Sequence, residues 1–204
     1  MSDDHSPTRE ARHAARMARK KALIDAAIDR ANIEKGLLLV LTGNGKGKSS
    51  SAFGMVARAL GHGMKVAVFQ FIKGRSDTGE EAFFRTDPDV SWAVCGEGFT
   101  WDTQSRERDI AAARAGWELA RQALRDPAVD LVVLDELTYL FSYDYLDLAT
   151  ALADIKARPA HQHVVVTGRA AADDLLAIAD TVSEIADIKH AFRAGVTAQP
   201  GIDL

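Results

Sequence analysis

A chain of 204 residues with 47% hydrophobic content can bury one sizeable core, and a single main domain is expected at this length. Its net charge of −4 supplies no global attraction for nucleic acid or an anionic membrane, so neither is expected as a partner. One cysteine, Cys95, excludes an internal disulfide framework and any multi-cysteine metal site; it suits a cytoplasmic location and is expected to be buried filler.

The N-terminus is polar and mixed in charge, with Asp3, Asp4 and Glu10, unlike a secretory signal. From Pro7 to Asn32 the chain is rich in Ala, Arg and Lys, with Met17, Ile24, Ile28 and Ala31 at helical spacing, which predicts a long helix. Between Arg9 and Lys21 it carries six basic residues against one acidic residue. A run of that kind is most simply a solvated helix face. Residues 1–35 are therefore read as an N-terminal helical arm, and 36–204 as the main domain.

Six short apolar runs follow, LLLVL (37–41), KVAVFQFI (65–72), VSWAV (90–94), LVVLDE (131–136), HVVVT (163–167) and TVSEIADI (181–188). Each has the length of a strand, and none approaches the roughly eighteen apolar residues of a membrane helix. Nearly continuous Val, Leu, Ile and Phe is the signature of strands covered on both faces in a parallel sheet. Lys48–Leu60, Thr103–Leu124, Tyr145–Ala157 and Ala171–Ala179 have the length and apolar spacing of crossover helices. The fold class expected is α/β: a P-loop, doubly wound, mainly parallel sheet with helices on both faces, plus the helical arm.

The segment Leu37–Leu60 runs strand, glycine-rich turn, helix, with TGNGKGKSS at the turn. Glycines 43, 45 and 47 let the backbone curl and bring N–H groups against phosphate oxygens, and the helix beginning near Lys48 adds its positive dipole end. The phosphate-contact set is Gly43, Asn44, Gly45, Lys46, Gly47, Lys48, Ser49 and Ser50, with Lys48 as the ammonium on the phosphates and Ser49 as a hydroxyl ligand for magnesium. Three residues, not four, separate Gly43 from Gly47, and Thr42 stands where the usual motif has its first glycine. The run LVVLDE delivers Asp135 and Glu136 to the carboxyl edge of the sheet, where oxygen ligands suit Mg2+ or Mn2+. Arg169, after HVVVT, can face the same site, as can Lys73 after VAVFQFI; either reads equally as a surface charge, Lys73 somewhat more so. His161, His163 and His190 lack metal-ligand spacing and read as structural or exposed, while Trp92 and Trp117 read as packing residues. On these residues alone the chain is a P-loop nucleotide-binding protein, with a kinase or ATPase and a non-catalytic carrier both open.

Beyond the loop, FQFIKG, TGEEAFF, GEGFTWDTQ, LVVLDELTY, VVVTGR and KHAFRAGVTAQPGID resemble the P-loop type ATP:corrinoid adenosyltransferases, from about Gly36 to the C-terminus. Departures include Ser49–Ser50 where many members have threonine, Leu41 and Thr42 before the loop, and Asp144 and Pro200. The resemblance implies transfer of the 5′-deoxyadenosyl group of ATP to the cobalt of a Co(I) corrinoid with release of triphosphate, in adenosylcobalamin synthesis or salvage. It implies ATP and corrinoid as substrates, Mg2+ or Mn2+ as cofactor, an electron-donating flavoprotein partner and a homodimer in which the N-terminal helix covers a neighbouring site. It also implies that Lys48, Phe99 and Trp101 are the catalytic residues, the two aromatics packing beside the corrin and displacing the lower axial ligand of cobalt.

Overall fold

A computed structural model describes residues 8–72, 78–96 and 105–203. It divides into two compact units, Met1–Glu34 and Lys35–Leu204. Among its described residues the first holds one helix, α1 (Arg9–Arg30), capped by Thr8, whose side chain accepts from the Ala11 amide. None of its residues is buried, and Met17, Leu23, Ile24 and Ile28 are exposed beside the basic residues.

The second unit is built on a six-stranded parallel sheet: β1 (Leu38–Thr42), β2 (Val66–Gln70), β3 (Val90–Val94), β4 (Leu131–Asp135), β5 (His163–Thr167) and β6 (Thr181–Glu184). The order across the sheet is β3-β2-β4-β5-β1-β6. Its helices are α2 (Lys48–Leu60), α3 (Gly79–Phe84), α4 (Arg106–Arg125), α5 (Thr138–Ser142), α6 (Leu148–Lys156) and α7 (Asp173–Ile178), followed by a 3-10 turn at Ala191–Ala194.

The winding follows from this order. The chain moves from β1 to β2 and on to β3 in one direction, then returns through β4 and β5 to β6 in the other. Right-handed crossovers place outward and returning helices on opposite faces. The two cores match that arrangement. Leu41, Val66, Val68, Leu131, Val133 and Val165 pack with Ala52, Phe53 and Val56 of α2 and Phe84 of α3. The alternate residues Val40, Ala67, Phe69, Val132, Leu134, Val164 and Val166 pack with Trp117 and Leu124 of α4, Ile155 of α6 and Leu175 of α7. Each fully buried Val, Leu or Ile contributes roughly 1.5–3 kcal/mol relative to exposure, so both faces are held by burial and not by helix propensity.

Several boundaries differ from the sequence-based expectation. The strand expected over 181–188 ends at Glu184, because the chain then leaves the sheet and Ile185 O accepts from the Gly45 amide at 2.7 Å. The run 65–72 forms a strand only over Val66–Gln70; Phe71 and Ile72 stay buried beyond its end. The helix expected from Tyr145 starts at Leu148, after Asp144 takes φ 55° and Asp147 caps the Thr150 amide. The helix expected over 171–179 spans Asp173–Ile178, and the α4 segment expected from Thr103 spans Arg106–Arg125. The short helices α3 and α5 were not anticipated; Thr78, capping the Glu81 amide, is the T-x-x-E signal that announces the first.

Cys95 is half-buried, with burial raising its thiol pKa to about 11, so it is not a reactive thiolate at neutral pH. A Cβ at Gly116 of α4 would lie 2.4 Å from the Cys95 Cβ, so the glycine admits α4 against β3's exit. Among the described residues no helix is long and apolar enough to cross a membrane.

Candidate nucleotide site

Strand parity decides what meets beneath the phosphate loop. Gln70 pairs in register with Asp135, and Leu134 with Val166, so Gln70, Asp135 and Thr167 end three adjacent strands on the α2 side of the sheet. Ser49, in the first turn of α2, donates to Asp135 Oδ1 at 2.7 Å. Thr167 Oγ1 donates to the same oxygen at 2.7 Å, and Gln70 Nε2 to Oδ2 at 3.1 Å. Asp135 is therefore a fully buried carboxylate behind Ser49, its charge spread over three donors.

Glu136 follows with φ 62°, uncommon for a residue with a side chain, and its amide donates to Thr167 Oγ1 at 2.9 Å. This turn directs Glu136 into a cleft of about 300 Å³ lined by the loop residues 44–50, Tyr139, Arg169 and His190. Arg169 leaves β5 through Gly168, at φ 142°, where a Cβ would sit 2.0 Å from Thr138 Oγ1. That same hydroxyl donates to Arg169 O at 2.6 Å and fixes the turn.

The loop has a sharper internal logic than composition suggests. Thr42 is still a strand residue, paired with Glu184 of β6, so the curl begins one position later at Gly43, with φ 97°. A Cβ at Gly43 or Gly45 would meet the backbone of residues 185–186 at 2.5 Å. These two glycines let the loop dock on the exit of β6, and the Gly45 amide is used there instead of facing phosphate. Gly47 differs: its Cβ direction is open, and what it needs is φ 120° at the N-terminus of α2. Among the described residues no side chain caps α2, which leaves its first-turn N–H groups to an anion.

Lys48 is buried, with 7% of its surface exposed, and donates to Gly43 O and Gly45 O, both at 2.8 Å. Burial lowers its pKa; Glu136 raises it, Arg169 lowers it and Asp135 raises it. Tyr139 has its phenol pKa raised, first by burial and then by Glu136. Lys46 pairs with Asp203 at 2.5 Å, so a residue from the C-terminus reaches the phosphate loop, and Ile202 lines the same cleft.

The structure thus brings together Gly43–Ser50, Asp135, Glu136 and Arg169. Lys73, Phe99 and Trp101 lie outside the described residues. Glu80, Tyr139, His190, Ile202 and Asp203 line the cleft without having been singled out as site residues; the histidine, read as structural or exposed, accepts from the Phe192 amide through Nδ1. Trp92, read as packing only, stacks on Phe84 and also donates from Nε1 to Gln70 Oε1 at 3.1 Å. Among the described residues no three His, Cys, Asp or Glu side chains cluster as a metal cage. A larger concavity, about 720 Å³, adjoins across α5 and the segment after Arg169, with Phe141, Tyr145, Leu148 and Arg114 in its walls.

The chain matches known proteins over nearly its whole length. A family model described as ATP:corrinoid adenosyltransferase BtuR/CobO/CobP covers residues 34–204, and one described as cob(I)alamin adenosyltransferase N terminal covers residues 1–28. The chain is 61% identical to a corrinoid adenosyltransferase of Pseudomonas aeruginosa, over 98% of this chain and 99% of that protein. It is 50% identical to the corrinoid adenosyltransferase CobA of Salmonella typhimurium, over 94% and 97% of the two chains. A corrinoid adenosyltransferase of Sinorhizobium sp is 47% identical, over 95% and 92%.

Proposed function

The chain belongs to the ATP:corrinoid adenosyltransferase family, and from that premise we propose how its cleft carries out the reaction. The enzyme transfers the adenosyl group of ATP to the cobalt of a corrinoid. In the proposed step the electron pair of Co(I) forms the Co–C5′ bond while the C5′–O bond breaks and its pair leaves with triphosphate. Carbon is attacked and cobalt is the nucleophile, so the protein needs no general base; it supplies alignment and stabilises the leaving charge.

The observation that supports this reading is the concentration of cationic and N–H groups at one end of the cleft. Lys48, Arg169 and the uncapped first turn of α2 face the space that a triphosphate would fill. Lys46 joins them once triphosphate competes with Asp203 for its ammonium. The oxygen donors there also fit Mg2+ or Mn2+: the Ser49 hydroxyl, held by Asp135, and the Glu136 carboxylate are hard ligands that would share the ion with phosphate oxygens. Such an ion supplies charge neutralisation of the triphosphate. Asp135 acts through Ser49, whose hydroxyl it orients.

The adjoining concavity gives the corrin a partly aromatic face next to the nucleotide, and Phe99 and Trp101 would exclude the lower axial ligand. The arm 1–35 is proposed as a lid on the site of a neighbouring subunit in a homodimer, and a flavoprotein as the electron donor, in a cytoplasmic setting.

Product analysis tests the core of this reading. With ATP, Mg2+ and chemically reduced cobalamin, the expected products are a light-sensitive Co–C corrinoid and triphosphate in equal amounts; ADP and phosphate in their place would return the chain to ordinary phosphoryl transfer. Replacing Trp101 by Ala should leave ATP binding unchanged and slow turnover from Co(II) with a reductant by at least tenfold more than turnover from pre-reduced Co(I). Equal losses on the two substrates would remove the ligand-displacing role.

A further inference from the structure

The residue beneath the metal ligands has a support of its own. Gln70 is fully buried at the end of β2, a costly place for a carboxamide unless both its ends are bonded. Both are: Oε1 accepts from Trp92 Nε1 at 3.1 Å, and Nε2 donates to Asp135 Oδ2 at 3.1 Å. An indole N–H can only donate, so it compels the carboxamide oxygen to face Trp92 and the amino group to face Asp135. Trp92 is in turn held by Phe53 of α2, at 5.2 Å between ring centroids, and by Phe84 of α3, stacked at 6.3 Å. The orientation of the Asp135 carboxylate is thus tied to four side chains, Gln70, Trp92, Phe53 and Phe84, none of which lines the cleft.

We propose that Gln70 and Trp92 are positioning residues for the metal end of the nucleotide site: Trp92 orients Gln70, Gln70 occupies Oδ2 of Asp135, and Oδ1 is kept for Ser49 and Thr167. Ser49 then presents its oxygen lone pairs to the cleft, because its proton is committed to Asp135. The relay rests on the reading of Ser49 and Glu136 as ligands of a divalent ion. It adds that the ion's affinity is set in part from β3, two strands away from Asp135 on the same face of the sheet. A Thr or Ser at position 49 would be equally dependent on it, since both carry the one hydroxyl proton that Asp135 accepts.

The test uses the full chain without corrinoid, titrated with ATP plus Mn2+ and with ATP plus EDTA, following heat on mixing and the electron paramagnetic resonance signal of free Mn2+. Gln70→Met keeps length and volume and removes the carboxamide; Trp92→Phe keeps the ring between Phe53 and Phe84 and removes only the N–H. Gln70→Met is expected to weaken Mn2+·ATP binding about tenfold while metal-free ATP binding stays within twofold. Trp92→Phe should weaken Mn2+·ATP binding about threefold, and the double variant should match Gln70→Met alone, as members of one chain of bonds must. Equal losses with and without metal, or additive losses in the double variant, would overturn the relay even if both proteins fold. If the unaltered chain binds ATP equally with Mn2+ and with EDTA, the metal reading itself falls; if it shows metal dependence that Gln70→Met retains in full, only the relay falls.

Discussion

Replacing Lys48 by Ala is expected to abolish measurable ATP binding while leaving the fold intact. The ammonium has two tasks, and the structure shows the first directly. It bonds Gly43 O and Gly45 O at 2.8 Å and so closes the loop around itself. Its second task is to meet the triphosphate, in a place where burial has already removed most of its water. Removing one partner of such a buried charge contact costs on the order of 3 kcal/mol, about a hundredfold in affinity, before any change in loop shape is counted. Lys48→Met separates the ammonium from the stem, since it keeps the packing of the stem and loses both sets of bonds to the ammonium, and it should bind ATP no better than Lys48→Ala. Lys48→Arg should fail almost as badly, because the larger, planar guanidinium does not fit the small curl in which the compact ammonium sits between Gly43 O and Gly45 O. Calorimetry with ATP and Mg2+ gives the affinities, and thermal unfolding without ATP checks the fold; a Lys48→Ala protein that binds ATP within threefold of the unaltered chain would remove the lysine from the site.

The sheet was legible because its strands are buried on both faces, so runs such as LVVLD and HVVVT lack polar interruptions and cannot be surface elements. The loop was legible because glycine, lysine and serine have position-specific duties between a strand and a helix. What stayed hidden depends on register. Nothing in the sequence states that Gln70 stands beside Asp135; that follows from β2 lying next to β4, whereas chain order alone suggests β3. Nor does it state that Asp203 reaches Lys46 from the other end of the chain, or that His190 and Ile202 line the cleft. Short helices were missed for a local reason: α3 and α5 span six and five residues, too few to establish a 3.6-residue period. Trp92 was read for its ring alone, which is correct for its contacts with Phe53 and Phe84 and incomplete for its N–H.

The shortened loop spacing turns on the same long-range geometry, and Gly45→Ala isolates it. Because Thr42 is paired with Glu184, β1 runs one residue further than the usual motif allows, and the loop that follows lies on residues 185–186. Gly45 has no positive φ to protect, so its need for glycine is a matter of space: an added Cβ would stand 2.5 Å from Ala186 O and 2.7 Å from Ile185 O. Those atoms are backbone and cannot swing aside as a side-chain tip does. Relief requires the loop or the exit of β6 to move, with an overpacking cost of roughly 1–3 kcal/mol and weakening of the bond from Gly45 N–H to Ile185 O. Moving the loop also moves the two carbonyls that seat Lys48, so Gly45→Ala should lower both thermal stability and ATP affinity, the latter at least tenfold. Gly54→Ala in α2 is the control: a Cβ there meets nothing within 4 Å, and alanine in a helix interior gains about 1 kcal/mol over glycine. If Gly45→Ala instead keeps full ATP affinity, the docking of the loop on β6 is incidental, and the missing residue between its glycines has no connection to how the nucleotide is held.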